Sequence, residues 1–425
     1  MKKMSRYFVF LLLTLLSCNC QRDKDSYVLV QEVVFSRHNI RSPLSTRGSD
    51  LERVTPCEWV DWGVPAAFLT PRGGRIEEQV GAYFYSTVSE PLGPFDNGNT
   101  LFYANSRQRT KATATHFLQG FDPELTLYYT SEEDVMDPLF MPQFTFMSEA
   151  LHERIIAEMN AAGGAAGTPE DPYKGIRQAI STLTDDIRFM EGIIDFSHSP
   201  YALENGVEHL PTETVEIITE VGDEPRLKGD YQLINSIADA LVLQYYETGS
   251  EFGKAVTMED VRRIGHVKTV YDEMLFGTPT ASTLVSHPLV AYIRKELGGD
   301  AHRFTFLCGH DSNIASLSTA LGFEMPPTVD AVEHRTPIGS KIVFRKYRKG
   351  SEYFVDIRLV YASVSQLRET GPIDAAHPPV TLSIGLEGLQ RNADGYYTLE
   401  DVLGRFDTTL SRYEELAASA AVSLP

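Results

Sequence analysis

Positive charge, metal-binding motifs and internal repeats are all scarce in this 425-residue sequence. Lysine and arginine total 38 against 58 aspartates and glutamates, and the net charge of −20 argues against non-specific binding to nucleic acids or anionic membranes. The eleven histidines form no HExxH or HxH pattern, and neither GxGxxG nor a Walker loop is present, so no metal or nucleotide cofactor is indicated. A hydrophobic content of 42% is nevertheless ordinary for a globular protein.

Long apolar runs are missing from the sequence except near its start. Residues 1–20, MKKMSRYFVFLLLTLLSCNC, combine a basic beginning with an apolar run over residues 7–16 that is too short to span a bilayer, which is typical of a signal peptide. The run ends in LLSC, which resembles a bacterial lipoprotein cleavage box with Cys18 as the lipidated residue; ordinary cleavage near Cys20 is the alternative. We therefore expect an exported protein, periplasmic or held by a lipid on Cys18 to a membrane that faces the periplasm or the cell surface.

Cysteine is rare in the rest of the chain. Beyond the signal segment only Cys57 and Cys308 occur. Cys308 ends the apolar stretch RFTFLC, a predicted buried strand in which a free cysteine serves as a small hydrophobic residue. We expect no disulfide.

Strand and helix patterns alternate along most of the chain, which is longer than one typical core. The valine-rich residues 27–36, YVLVQEVVFS, predict a buried strand, and the alternation that follows is typical of an α/β sheet. Between about residues 131 and 300 the pattern is mainly helical. We therefore predict an α/β domain made of residues 27–130 and 301–425, with a helical domain, residues 131–300, inserted between its two parts.

Two arginines flank a histidine where the first predicted strand ends, in the stretch FSRHNIRSP. The fixed charges of Arg37 and Arg41 suppress protonation of the His38 ring and leave a neutral, nucleophilic imidazole. Such a group of cations is unfavourable in a protein interior unless an anion balances it. This stretch therefore predicts an anion-binding site around His38.

A second polar motif, GHDSN, stands between the predicted strand 303–308 and a helix. The N-terminus of a helix offers free N–H groups that suit a phosphate, and ligands of open α/β sheets bind beyond the carboxyl ends of the strands. We therefore expect Asp311 and His310 to meet His38 there, although about 270 positions separate them. The simpler interpretation is that this dipeptide only caps the helix.

A third stretch, YANSRQRTKATA, places Arg109 after a short predicted strand and near the start of the next helix. Arg109 is a candidate third arginine for the same anion. Arg107 and Lys111 compete for this role, and spacing alone does not choose among them.

These motifs, in this order, resemble those of the histidine acid phosphatases. Their first motif usually reads Arg-His-Gly-x-Arg-x-Pro, here RHNIRSP, and their second is His-Asp, here in GHDSN. Further text agrees, including TPCEWVDWGVP, LTPRGG, MDPLF, LQYYE and RTPIGSKIVF. The similarity runs from about residue 33 to 365, is weakest between about 150 and 225, and is greatest to the exported bacterial glucose-1-phosphatases and their phytase relatives.

The resemblance implies a fold and a mechanism. The fold would be an open, mainly parallel sheet flanked by helices, like that of phosphoglycerate mutases, with an inserted helical domain. His38 would form a phosphohistidine, and Asp311 would protonate the leaving oxygen, which requires an acidic medium. No metal is needed. The phosphate-binding residues would be Arg37, Arg41, Arg109 and His310.

One residue departs from the family pattern. The usual glycine after the nucleophilic histidine is Asn39, which is the next-best tolerated residue if the backbone there has a positive φ. The glucose-1-phosphatase-like branch also carries asparagine at this point. The departure therefore supports that branch.

The resemblance leaves four functions to compare. An exported acid phosphatase for small phosphate monoesters, with glucose 1-phosphate as a leading substrate, is the first. A phytase-like inositol polyphosphate phosphatase would prefer a basic pocket, and the acidic residues between 204 and 224 weakly favour a less charged substrate. A protein that only binds phosphorylated sugars would need the arginines but not Asp311. Phosphomutases lack the His-Asp motif and are normally cytoplasmic.

Overall fold

The computed structural model describes residues 26–44, 51, 59–129, 135, 137–194, 215–248 and 256–422. The predicted signal peptide, residues 1–20 with Cys18, lies outside the described residues, and so does Cys57. Cys308 is a free, buried thiol. No helix in the described part of the chain combines the length and apolar character that crossing a membrane requires.

The strands form one large sheet and two small ones. Their bounds are β1 Val28–Arg37, β2 Thr100–Ala104, β3 Leu127–Tyr128, β4 Glu216–Ile218, β5 Arg226–Lys228, β6 Phe304–Gly309, β7 Phe323–Glu324, β8 Lys341–Lys349, β9 Glu352–Tyr361, β10 Val380–Ser383, β11 Gly385–Leu386 and β12 Tyr397–Thr398. The large sheet has the order β10-β9-β8-β1-β6-β2-β3, and β12 pairs with β9. β1, β6, β2 and β3 are parallel neighbours, whereas β8, β9 and β10 continue the sheet in antiparallel fashion.

Helices cover both faces of this sheet. The helices with described bounds are α1 Pro71–Leu92, α2 Gln108–Phe121, α3 Glu149–Ala162, α4 Lys174–Ser181, α5 Thr184–Ile193, α6 Asp230–Thr248, α7 Met258–Phe276, α8 Pro279–Gly298, α9 Asp311–Leu321, α10 Val364–Glu369 and α11 Leu399–Val422. On one face Val34 of β1 belongs to a core shared with α1 and α2, and on the other Val33 and Phe35 belong to a core shared with α8, α9 and α11. Because both faces are covered, β1 is apolar throughout its middle and does not alternate with polar residues. The predicted α/β class, an open sheet flanked by helices, is confirmed.

The helices α3 to α7 pack beside the α1 and α2 face of the sheet. Ile155 of α3, Ile187 of α5, Leu241 of α6 and Ile264 of α7 are buried in the same core as α1 and α2. α6 and α7 pack against each other and present one face to the carboxyl end of β1. The division into domains at residues 131 and 300 stays a prediction.

Candidate active site

Three parallel strands end at one edge of the sheet and bring the predicted motifs together. β1 ends at Arg37, which is in register with Gly309 at the end of β6, and β2 ends beside β6 in turn. The His38 N–H donates to the Gly309 carbonyl oxygen at 3.1 Å, and the rings of His38 and His310 lie 5.7 Å apart. Asp311 follows as the first residue of α9. The structure thus places His38 next to the His310-Asp311 pair, where the strand order predicts it.

The His38 ring is neutral and has one nitrogen available for attack. The side chain is 2% exposed, and its Nδ1 lies 2.9 Å from the Asn39 carbonyl oxygen. A carbonyl oxygen only accepts, so Nδ1 carries the proton and Nε2 keeps a free electron pair. Burial, reinforced by the charges of nearby arginines, holds the pKa of His38 well below its usual value. The neutral imidazole inferred from the sequence is therefore a property of the folded site.

Two of the arginines are anchored by carboxylates. Arg37 places Nη2 3.2 Å from an Asp311 oxygen and Nη1 3.5 Å from a Glu333 oxygen. Arg41 places Nη2 2.9 Å from an oxygen of Asp239 on α6. Each of the two arginine side chains is almost fully buried. Burial and the contacts with carboxylates together fix both guanidinium groups beside His38.

The third arginine meets the second histidine. Nη2 of Arg109 lies 3.3 Å from Nδ1 of His310, and Asn105 Nδ2 donates to His310 Nε2 at 2.7 Å. The Asn105 oxygen accepts two backbone N–H groups, which fixes the amide in this orientation. His310 Nδ1 therefore carries a proton that faces another donor, Arg109, and an anion between them would accept from both. Lys111, one of the open alternatives to Arg109, lies instead over the ring of Tyr129.

Several donors at the site lack an acceptor. The Nε atoms of Arg37, Arg41 and Arg109 are buried without a hydrogen-bond partner among the described residues. Burial and the neighbouring Arg41 lower the pKa of Arg109 to about 10. Buried cations are ordinarily balanced by nearby anions, and the charges of all three arginines act on His38, so the site has the character of an anion site.

Asp311 is ionised in this arrangement. Its Oδ2 lies 3.2 Å from Arg37 Nη2 and 3.0 Å from the Nζ of Lys268 on α7. Burial by itself would raise the pKa of Asp311, but Lys268 and Arg37 outweigh it and hold the pKa well below its usual value. Lys268 also lies 2.8 Å from an Asp272 oxygen. Lys268 and Asp272 were not predicted from the sequence, where their four-residue spacing on α7 is their only signal.

Glu224, which precedes β5, faces the same group of charges. Burial and the Asp311 carboxylate raise the pKa of Glu224 to about 7, although Arg109 works in the opposite direction. Its side chain is partly buried. The sequence shows it only as one member of an acidic run, so its position at the site could not be inferred.

Asn39, which follows His38 in the chain, contacts a buried ion pair. Its Nδ2 donates to a Glu77 oxygen at 2.8 Å, and the other Glu77 oxygen lies 2.7 Å from Lys341 Nζ. The backbone of Asn39 does not have a positive φ, whereas Gly339 has a φ of +66° and an N–H that donates to the His38 carbonyl oxygen. A Cβ on Gly339 would stand 2.6 Å from Asn39 Nδ2. The residue that needs the conformational freedom of glycine is thus Gly339, which contacts Asn39, and not position 39 itself.

Relatives of known activity resemble this chain over most of its length. It is 31% identical over 392 residues to the glucose-1-phosphatase of Providencia rettgeri. The aligned region covers 88% of this chain and 90% of the relative. Identity to the glucose-1-phosphatase of Salmonella typhimurium is 32% over 407 residues, with coverage of 92% and 94%. The phytase AppA of Escherichia coli is 26% identical, with coverage of 86% and 88%.

Solved structures show the same fold. The phytase from Citrobacter braakii superposes with a TM-score of 0.78 at 23% identity, covering 91% of this chain and 98% of the phytase. No family model matches the sequence. The relatives, together with the arginine-flanked histidine and the His-Asp pair at one sheet edge, lead to one conclusion. The chain belongs to the histidine acid phosphatases, enzymes that hydrolyse phosphate monoesters.

Proposed function

We propose that this protein hydrolyses sugar phosphates, with glucose 1-phosphate as the leading substrate, through a phosphohistidine on His38. The observation that carries the proposal is the neutral His38 ring, with Nε2 free, beside three arginines whose buried Nε groups have no partner among the described residues. A phosphate would satisfy those donors and present its phosphorus to Nε2.

In the first step, Nε2 of His38 attacks phosphorus, the N–P bond forms and the bond from phosphorus to the ester oxygen breaks. The arginines and the Nδ1–H of His310 stabilise the charge on the three phosphoryl oxygens. Asp311 gives its proton to the leaving oxygen. The cationic residues assigned to the phosphoryl group are Arg37, Arg41 and Arg109.

In the second step, a water molecule attacks phosphorus while the Asp311 carboxylate takes one of its protons. The N–P bond breaks, inorganic phosphate leaves and the electron pair returns to His38 Nε2. Asp311 is then protonated again for the next turnover. Because Lys268 and Arg37 favour the carboxylate form of Asp311, the first step requires acidic conditions.

The choice of a sugar phosphate rests on the relatives. Two relatives above 30% identity carry the name glucose-1-phosphatase, whereas the phytase relative stands at 26%. A phytase-like activity on inositol polyphosphates is the alternative.

The test is a comparison of phosphate release from glucose 1-phosphate and from phytate, at acidic to neutral pH and in the presence of EDTA. We expect preferential release from glucose 1-phosphate. Trapping with radiolabelled substrate should yield an acid-labile phosphoprotein that is lost in His38→Ala and kept in the control His377→Ala, an exposed histidine. If neither ester released phosphate, the proposal that the protein hydrolyses phosphate esters would be refuted. A preference for phytate would refute the assignment of a sugar phosphate as the substrate.

We further propose that the protein is exported and carries a lipid on Cys18. The support is the sequence alone: a basic beginning, a short apolar run and the LLSC box. Labelled palmitate should be incorporated into the wild-type protein and not into Cys18→Ala. Incorporation that persists in Cys18→Ala and stops in Cys20→Ala would instead place the lipid on Cys20.

A further inference from the structure

Two residues of α7 form a charged bridge to the residue assigned as the acid. Lys268 and Asp272 are one helical turn apart, so their side chains share one face of α7. Nζ of Lys268 lies 2.8 Å from Oδ2 of Asp272 and 3.0 Å from Oδ2 of Asp311. A single ammonium group therefore links two carboxylates in a continuous chain of hydrogen bonds.

The bridge is enclosed by other charges. Lys268 is 14% exposed, and Asp272 and Asp311 are 18% and 19% exposed. Arg37, at the end of β1, contacts the same Asp311 oxygen as Lys268 does. The other charged or titratable groups that act on the bridge are His38 after β1, Arg109 on α2, Glu224 before β5, Tyr231 and Asp239 on α6, Tyr271 on α7, His310 before α9, and Glu333, which pairs with Arg37.

The two carboxylates do not hold protons equally. Burial and the nearby Asp311 carboxylate raise the pKa of Asp272 to about 6, against the effect of Lys268. The pKa of Asp311 is held well below its usual value by Lys268 and Arg37. As the pH falls, the first proton that the pair binds therefore resides on Asp272, separated from Asp311 by one ammonium group.

We propose that Asp272 and Lys268 are positioning residues that store the leaving-group proton and deliver it to Asp311. This inference rests on the proposed function, because it requires Asp311 to protonate the leaving oxygen. Lys268 gives one Nζ proton to Asp311 Oδ2 and takes the proton of Asp272 Oδ2. Lys268 remains an ammonium group, Asp272 becomes a carboxylate, and Asp311 becomes the carboxylic acid.

Substrate binding supplies the driving force for this transfer. The phosphate takes up the Arg37 charge that Asp311 otherwise neutralises, and its own negative charge then opposes ionisation of Asp311. Asp272 is farther from the phosphate, because Lys268 lies between them. The bound ester thus favours the proton on Asp311, next to the oxygen that needs it.

The bridge also has access to protons from outside. Arg37, Lys268 and Asp272 line a cavity of about 30 Å³, whose wall includes the more exposed ion pair of Glu273 and Arg335. A volume of this size accommodates one water molecule. Asp272 can therefore exchange protons with the solvent through the cavity while the substrate covers the other side of Asp311, so that the charge of the bridge follows the pH of the medium. Within the catalytic cycle, the proton that the attacking water gives to Asp311 returns to Asp272 through Lys268 when phosphate leaves.

The experiment is the pH dependence of kcat for glucose 1-phosphate in two variants that shift it in opposite directions. Asp272→Asn removes the storage site, so Asp311 must bind the proton unaided. The high-pH limb of the kcat profile, where kcat falls as the pH rises, should therefore move to lower pH. Lys268→Met removes the cation between two carboxylates, so the pair binds its first proton more readily and the limb should move to higher pH. Each shift should be about one pH unit or more. The effects on p-nitrophenyl phosphate, whose leaving group needs no proton, should be smaller.

Two control variants separate this role from a structural one. Asp186→Asn removes a carboxylate of α5 that also contacts α7, through Arg263 at 3.0 Å and His266 at 2.9 Å, but on a different part of the helix. It should leave the limb in place. Lys268→Arg keeps the positive charge, so the high-pH limb of its kcat profile should lie closer to that of the wild-type protein than the limb of Lys268→Met does.

A second measurement addresses the proton directly. Difference infrared spectra recorded in a Glu224→Gln background, which removes the neighbouring carboxyl with a pKa of about 7, should contain a protonated-carboxyl band that titrates near pH 6, the pKa of Asp272. The band should be absent from Asp272→Asn and present in Asp186→Asn. Its survival in Asp272→Asn, or loss of kcat in both bridge variants by the same factor at every pH, would overturn the inference. Inactivity of the wild-type protein on both esters would instead overturn the proposed function.

Discussion

The buried pair of Glu77 and Lys341 offers the sharpest test of how the site is supported. The two side chains are 0% and 1% exposed, and their charged atoms are 2.7 Å apart. Lys341 also donates to the Gly339 carbonyl oxygen, and Glu77 accepts from Asn39, the residue after His38. Lys341→Met preserves the length of the side chain but leaves the Glu77 carboxylate buried and without its cation.

Removal of one partner from a buried ion pair costs about 3–5 kcal/mol, because the remaining charge keeps its desolvation penalty. We expect this loss in the free energy of unfolding of Lys341→Met, measured by urea denaturation with the fluorescence of Trp59 and Trp62. Adding Glu77→Gln removes the unpaired charge while an amide oxygen still accepts from Asn39. The double variant should therefore recover about 2 kcal/mol of the loss.

Lys346 provides the matched control. It is 4% exposed, but its carboxylate partner, Asp300, is 93% exposed, so that Lys346→Met leaves no buried charge. Its loss should be limited to the hydrogen bonds to two carbonyl oxygens, about 1–2 kcal/mol. If Lys341→Met and the double variant are destabilised equally, then packing of the lysine stem, and not the orphaned carboxylate, accounts for the loss.

Three further predictions concern catalysis. Asp311→Asn should lower kcat far more for glucose 1-phosphate than for p-nitrophenyl phosphate, and equal losses on both esters would exclude Asp311 as the acid. Arg109→Met should lower kcat/KM by about 10- to 100-fold through loss of a charge-assisted contact worth about 1.5–3 kcal/mol; unchanged steady-state kinetics would remove Arg109 from the phosphate site. Glu224, with its pKa of about 7, is neutral below that pH and negative above it, so KM for glucose 1-phosphate should rise above pH 7 in the wild-type protein. Glu224→Gln should abolish this rise, which a pH series of KM would reveal.

The convergence of distant motifs could be predicted because it depends on strand order and little else. The segments that end at Arg37 and Gly309 are apolar enough to be buried strands, and buried parallel strands bring their carboxyl ends to one edge. The positions of Arg109 and Lys111 relative to His310 needed the structure. Helix rotation places Arg109 against His310 and turns Lys111 towards Tyr129, and residue spacing alone does not specify that rotation precisely enough.

The charged groups contributed by α6 and α7 could not be predicted. Lys268 and Asp272 have the spacing of an ordinary ion pair on a solvated helix surface. Their proximity to Asp311 arises from the packing of α7 against α9 and the end of β1, a tertiary arrangement that no local pattern encodes. The backbone conformation at Asn39 could not be predicted for a related reason. The family pattern identifies the substituted position, but only the packed site shows that Gly339, and not Asn39, has a positive φ.

The pairing of β1 with β6 has a consequence for how the enzyme folds during its synthesis. Phe35 is in register with Leu307, so about 270 residues must be synthesised between the strand that leads to His38 and its neighbour. Contacts this distant in sequence form late and slowly, because the intervening chain loses much entropy when the loop closes. A nascent chain that ends before Gly309 contains His38 but lacks both the partner strand β6 and Asp311. If His38 and Asp311 have the proposed roles, no N-terminal fragment should form a phosphohistidine or consume phosphate esters before assembly is finished.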